Sequence, residues 1–214
     1  MAAEPGLRER KKRQTRELIA DAARGLFAER GFDAVTVAQV ARAANVSEVT
    51  VFNYFPTKED LFYGGMQFFE ERLLDAVRER APGTSVLEAF RRPVMDGMPR
   101  LASDEAADAI AAAGNLISAS PALEAHERTI VARYTRRLAE LLAAEAGAEP
   151  DDIEAIGVAS ALMGVQRAVV GYVRKNVLAG RRGPGLVKQV SSQAVRAFGR
   201  LEGGLGDYGT KSLR

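Results

Sequence analysis

Side chains that ordinarily perform covalent or acid–base chemistry are scarce in this sequence of 214 residues. Cysteine is absent, which removes thiolate nucleophiles, cysteine zinc sites and disulfides. The one histidine, His126, stands among Glu124, Glu127 and Arg128, a pattern typical of an exposed helix face. No P-loop, glycine-rich dinucleotide fingerprint or metal-ligand cluster is present. The inventory therefore predicts no enzyme, no cofactor and no metal site. Chemistry of another kind gathers near the N-terminus, where segment 8–16 (RERKKRQTR) holds six basic residues and one acidic. Such a run is either a solvated tail or a counterion to a polyanion, and Arg10, Lys11, Lys12 and Arg13 are its candidate phosphate contacts.

The net charge of +2 conceals this segregation. Between Tyr63 and Gln166 there are ten basic and seventeen acidic residues, whereas Arg167 to Arg214 carries ten basic and two acidic. An apolar share of 47% suits a globular chain with a real core. The first twenty residues lack the apolar run of a signal peptide, and no uninterrupted apolar stretch approaches the roughly 18 residues of a membrane span. A cytoplasmic protein without a membrane partner is expected.

Positioning falls to helices, because three- and four-residue apolar spacing runs through most of the chain and no period-2 stretch competes with it. Leu18, Ile19, Ala22, Ala23, Leu26 and Phe27 share one face of a first helix that glycine ends at Gly31, after which Phe32 can fold back. Thr36 and Gln39 form a capping box that starts a short helix reaching about Ala44. Thr57 precedes a helix to about Ala81, Ser85-x-x-Glu88 opens the next, and Ser103 caps one to about Ser118. Ser120-Pro121 and Asp151-x-x-Glu154 start two more, a loop spans Gly180 to Gly185, and Leu186 to Leu201 is the last helix. The prediction is an all-α fold of about nine helices. Its domains are an N-terminal arm and small helical unit over 1–57, a larger unit over 58–202, and a flexible glycine-rich tail over 203–214.

Residues 36–55 (TVAQVARAANVSEVTVFNYF) read as two short helices joined at Asn45-Val46, with Ser47 capping the second. Val40, Ala41, Ala44, Val46, Val49 and Phe52 are the apolar contacts expected between them. This is the pattern of a helix-turn-helix, whose second helix enters the major groove. Thr15 to Leu61, including LFAERGFDAVTVAQVARAANVSEVTVFNYFPTKEDLF, resembles the DNA-binding domain of the TetR family of bacterial transcriptional regulators. The resemblance implies that Thr36 holds a DNA phosphate and that Glu48, Val49, Thr50 and Asn53 lie on the recognition helix. It further implies that Tyr54 and Lys58 clamp a phosphate, while Tyr54 could instead brace the helix. Asn45 replaces the family's usual turn glycine and tolerates a left-handed conformation. Phe52 replaces a common tyrosine and is expected in the core.

The family's larger domain dimerises and encloses an effector pocket. Gly157, Ala161, Gly164, Ala168 and Gly171 draw a small-residue stripe along one helix face, and Val190, Ala194 and Phe198 line a compatible face of the last helix; together they are expected at a homodimer interface or, alternatively, packed within one subunit. Candidate ligand contacts are Phe69, Phe90, Met98, Asn115, Tyr134, Met163 and Gln166, with core packing as the alternative for each. The expected function is a ligand-responsive regulator, a repressor released from a near-palindromic double-stranded operator by a small molecule. The alternative is a DNA-binding protein of the same fold controlled by a protein partner, or an architectural one.

Overall fold

Ile19, Ala23 and Phe27 recur at four-residue steps and are buried along one side of α1 (Leu7–Arg30). The computed structural model describes residues 6–210, without the side chains of 7–9 and 65–68. Among the described residues it contains nine α-helices and one short 3-10 turn and no strand. By internal contacts the chain divides into two compact units. One holds the residues up to Phe68 together with Leu116–Glu124; the other holds Phe69–Asn115 and Ala125 onward.

In the first unit, α1 is followed by α2 (Val37–Ala43), α3 (Glu48–Tyr54) and the start of α4 (Lys58–Arg78). Gly31 takes φ 79°, which a side-chain-bearing residue adopts only with strain, and the chain turns so that Phe32 meets Phe27 at a ring separation of 5.1 Å. Phe62 joins this pair at 6.3 and 6.2 Å and meets Tyr63 edge-on at 4.9 Å. These aromatic contacts explain why the unit does not stop at Thr57: the first turns of α4 complete its core. The junction of α6 (Asp104–Ala119) and α7 (Pro121–Ala146) belongs here too. Ser120 Oγ bonds Asp33 Oδ1 at 2.9 Å, and the buried Tyr63 hydroxyl donates to the Leu123 carbonyl at 3.0 Å.

The second unit contains the remainder of α4, α5 (Val86–Asp96), the 3-10 turn (Met98–Ala102), most of α6 and α7, α8 (Ile153–Leu178) and α9 (Gly183–Leu205). Leu73, Leu74, Val77, Phe90, Leu138, Leu142, Leu162 and Phe198 form its core. Most expected helix starts are present: the side chains of Ser85 and Ser103 accept from the amides of Glu88 and Ala106, and Pro121 opens α7. Before α8 the capping residue is Asp152, not Asp151, its carboxylate accepting from Ala155 N at 2.8 Å.

α9 extends to Leu205, further than its apolar spacing suggests. The segment after it is held: Val86 N bonds the Tyr208 carbonyl at 3.4 Å, and Arg80 donates to the Gly209 carbonyl at 2.7 Å. The expected tail over 203–214 is thus helix and bonded turn as far as Thr210, and residues 211–214 lie outside the described ones. Arg80 is itself almost fully buried, paired with Glu145 at 2.6 and 3.1 Å and bonded to the Val77 carbonyl. Buried charge is tolerable only when so saturated with partners.

Gly64 on α4 is a point of close approach, since a Cβ there would stand 2.8 Å from the buried ring of Phe55. Alanine normally favours a helix over glycine by about 1 kcal/mol. Overpacking a closed core costs about 1–3 kcal/mol. Gly64→Ala is therefore expected to lower the urea midpoint of unfolding despite its better helix propensity, and a raised midpoint would show that the Phe55 ring yields freely.

Candidate nucleic-acid interface and interior polar cluster

Seven residues are too few to hold a helix in water, so α2 and α3 depend on caps and on burial. Thr36 and Gln39 make a reciprocal box: Thr36 N donates to Gln39 Oε1 at 2.8 Å and Thr36 Oγ1 accepts from Gln39 N at 3.3 Å. Asn45 carries the turn at φ 52°, as its tolerance of the left-handed region allows. Ser47 Oγ caps α3 by accepting from Thr50 N at 3.1 Å, and the Ser47 and Thr50 hydroxyls bond each other at 2.8 Å. Thr50 is half-buried and engaged, which limits its freedom to reach a base.

The inward face of α3 carries Val51, packed with Val40, Ala41 and Ala44 of the preceding turn region, and Phe55 follows it into the core. This corrects the expectation for Val49 and Phe52, which are 69% and 47% exposed. They point outward because Val51 claims the single inward position available to so short a helix. Glu48, Val49, Phe52 and Asn53 together form the exposed surface of α3. Tyr54 is half-buried, and its carbonyl accepts from Arg16 Nη1 at 2.8 Å while the Arg16 guanidinium lies 4.3 Å over the Phe55 ring. Lys58 is held similarly, 4.2 Å over the Phe32 ring and 3.4 Å from the Asp33 carbonyl. Arg10, Lys11, Lys12 and Arg13 are exposed on a helix, not on an irregular arm, since α1 begins at Leu7.

Among the expected ligand contacts, Phe90, Met98, Tyr134, Met163 and Gln166 are buried in the second unit and Phe69 is half-buried. Phe90 packs on Phe198 at 6.5 Å. Asn115 is on the exposed side of α6. Around Tyr134 lies an ionic cluster that sequence patterning did not single out. Glu71 accepts from the Tyr134 hydroxyl at 3.2 Å and is gripped bidentately by Arg137, while Arg174 of α8 grips Glu127 of α7. The Arg137 guanidinium holds the Glu71 carboxyl below its ordinary value. Its neighbour Glu70 goes the other way: burial, opposed in part by Arg133 and reinforced by Glu71 and Glu127, pushes it up to about 7. A signal for Glu70 existed in the sequence, because it shares the three- and four-residue phase of Leu73, Leu74 and Val77 on the buried face of α4.

The small-residue stripe faces outward. Gly157, Gly164, Ala168 and Gly171 are exposed, Ala161 is half-buried, and a Cβ built on any of the three glycines meets nothing within 4 Å beyond its own stretch of helix backbone. Val190, Ala194 and Phe198, expected beside it on a dimer face, turn instead into their own subunit's core. The outward side of α9 presents Val195, 53% exposed, with Ser192 and Gly199. Among the described residues α8 is also the one helix long and apolar enough to cross a membrane, with only 33% of its apolar window buried.

A capped pair of short helices presenting one exposed face, braced by a long α1 with basic residues at its start, defines a helix-turn-helix DNA-binding unit. Residues 19–63 match the family described as bacterial regulatory proteins, tetR family, and residues 84–177 match the MftR C-terminal domain. The chain is 33% identical over 153 residues to the HTH-type transcriptional regulator TcmR of Streptomyces glaucescens, covering 69% of this chain and 67% of that one. It is 37% identical over 62 residues to the HTH-type transcriptional regulator AlkX of Mycobacterium tuberculosis, 29% of either chain. A solved TetR-family regulator from Mesorhizobium loti shares the fold, with a TM-score of 0.52 at 15% identity over 90% of this chain and 96% of that one. The chain belongs to the TetR family of transcriptional regulators, and it is not an enzyme.

Glu70 makes stability depend on pH. Its folded value, about 7, lies above the ordinary carboxylate value of about 4.5, so the folded state holds the proton more tightly. Stability is then greatest below about pH 4.5, falls as pH rises through about 7, and levels off beyond. The loss attributable to this group is on the order of 3 kcal/mol. Thermal melts of wild type and Glu70→Gln between pH 5 and 8 should diverge, the wild type losing stability relative to the variant as pH rises. Parallel curves would show that the carboxyl is not desolvated.

Proposed function

We propose that this chain is a homodimeric repressor that leaves a near-palindromic operator when a small molecule enters its C-terminal unit. The observation that carries the reading is the exposed face of α3, where Asn53 offers amide groups suited to an adenine edge. Val49 and Phe52 beside it suit a thymine methyl. Arg10, Lys11, Lys12, Arg13, Thr36, Tyr54 and Lys58 would set position through phosphates, which carry no base information. Glu48 at the first turn of α3 serves the helix N-terminus. The protein would work in the cytoplasm.

The outward stripe on α8 supports dimerisation, since its glycines leave room for a partner helix at short range. Covering this face would also remove from water the apolar surface that makes α8 resemble a membrane span. For regulation, α4, α6 and α7 each continue from the first unit into the second. Ser120–Asp33 and Tyr63–Leu123 fasten the α6–α7 junction within the unit that bears α3. A ligand that favours one arrangement of those helices weakens operator binding by its coupling free energy, and operator weakens ligand binding equally.

Two measurements test this reading. On duplexes selected from a random pool, Asn53→Ala should cost about 1–3 kcal/mol on the selected site and little on scrambled DNA, whereas Lys58→Ala should weaken both alike. Equal loss for Asn53→Ala would place the wrong face of α3 in the groove. In sedimentation, Gly164→Leu should yield a folded monomer, because a side chain there meets nothing of its own subunit within 4 Å beyond its own helix backbone. A dimer of unchanged affinity would put the interface elsewhere.

A further inference from the structure

Two oxygen acceptors in the second unit are shut away from water with no donor facing them: Glu70 Oε2 and Gln166 Oε1. Each residue is 8% exposed, and they come from different helices, α4 and α8. Folding strips both oxygens of the hydration they had in the unfolded chain and returns no hydrogen bond. Arg80 Nε is the other unpartnered buried polar atom among the described residues, but that guanidinium is otherwise saturated.

Bonds made by their neighbours relate the two acceptors. The Arg174–Glu127 pair fixes the register of α7 against α8, which the short 147–152 connection makes antiparallel. Eight residues back along α8 is Gln166, and eight residues forward along α7 is Thr135, next to Tyr134. Tyr134 in turn bonds Glu71, the neighbour of Glu70. This register sets Gln166 opposite the Tyr134–Thr135 level of α7, with Met163 one turn away on α8.

The charges around them indicate what is missing. Glu71 is taken by Arg137 and Glu127 by Arg174. Arg133, whose field reaches Glu70, has its guanidinium 5.3 Å from the Tyr134 ring centre and leaves Glu70 Oε2 without a bond. An anionic ligand would find Arg137 and Arg174 already bonded to Glu71 and Glu127 and would meet the two unpartnered acceptors. A ligand that brings donors would complete both orphaned oxygens.

We propose that Glu70 and Gln166 are the polar recognition pair for the effector, and that the effector is an organic cation, a protonated amine on an apolar body. This inference rests on the reading of the chain as ligand-responsive. The ammonium bonds Glu70 Oε2, further donors reach Gln166 Oε1, and the apolar body lies against Tyr134 and Met163. A buried water serving both oxygens is the competing account.

The test uses the full-length protein and two probes of matched shape, tryptamine and indole-3-propionate. The chain has no tryptophan, so indole fluorescence anisotropy reports binding without protein background. Tryptamine should bind at least tenfold more tightly than the propionate. Glu70→Gln should remove most of that preference and Gln166→Leu should weaken tryptamine several-fold, with circular dichroism unchanged. Equal binding of the two probes, binding of neither, or a preference untouched by both substitutions would overturn the proposal in favour of water. If tryptamine binds as expected but leaves affinity for the selected duplex unchanged, the site stands and the regulatory reading fails. If the duplex is bound and tryptamine is not, the site fails alone.

Discussion

A helix of two turns cannot sustain itself in water, and the DNA-facing part of this protein is built from two of them. Everything asked of α3 follows from how that deficit is met. Ser47 and the Thr36–Gln39 box satisfy amides at the helix starts, and Val51 and Phe55 anchor α3 to the buried faces of α1 and α2. Because so few residues face inward, the rotation of α3 about its axis is fixed by one valine. The outward residues are whatever remains: Glu48, Val49, Phe52 and Asn53. Reading surface and core are thus two sides of one packing decision.

The same economy explains why the core of the first unit recruits segments far apart in sequence. Phe27, Phe32, Phe62 and Tyr63 gather around the turn at Gly31, and the Leu116–Glu124 segment is bonded to the same region through Asp33 and Tyr63. Lys58 and Arg16 lie over aromatic rings of this core while retaining polar ends.

Local chemistry was legible in the sequence; choices made between distant segments were not. The capping boxes, the left-handed Asn45, the return of Phe32 onto Phe27 and most helix limits follow from residue type and spacing. Val49 and Phe52 were misread because apolar residues at helical spacing look alike whether they pack or face outward, and only the competing burial of Val51 separates them. Val190, Ala194 and Phe198 have the periodicity of any buried face, and sequence does not say whose core receives it. The glycine-rich end looked free because its restraints come from Arg80 and Val86, over a hundred residues earlier. Glu70 was missed because acidic residues on long helices usually face water, although its phase with Leu73, Leu74 and Val77 argued otherwise.

The bond from Arg80 to the Gly209 carbonyl spans 129 residues, and it bears on how the protein is made. Chains leave the ribosome at about 5–20 residues per second, so this arginine waits on the order of ten seconds for its last acceptor. During that interval the segment just after α4 carries a cation whose buried site is unfinished, and docking there is premature. The N-terminal helices have no such wait beyond Glu124, where the last of their partners emerges. Vectorial synthesis thus gives the two units different birth times: the helix-turn-helix unit can settle while the second is still incomplete, and the clasp at Gly209 closes that second unit last.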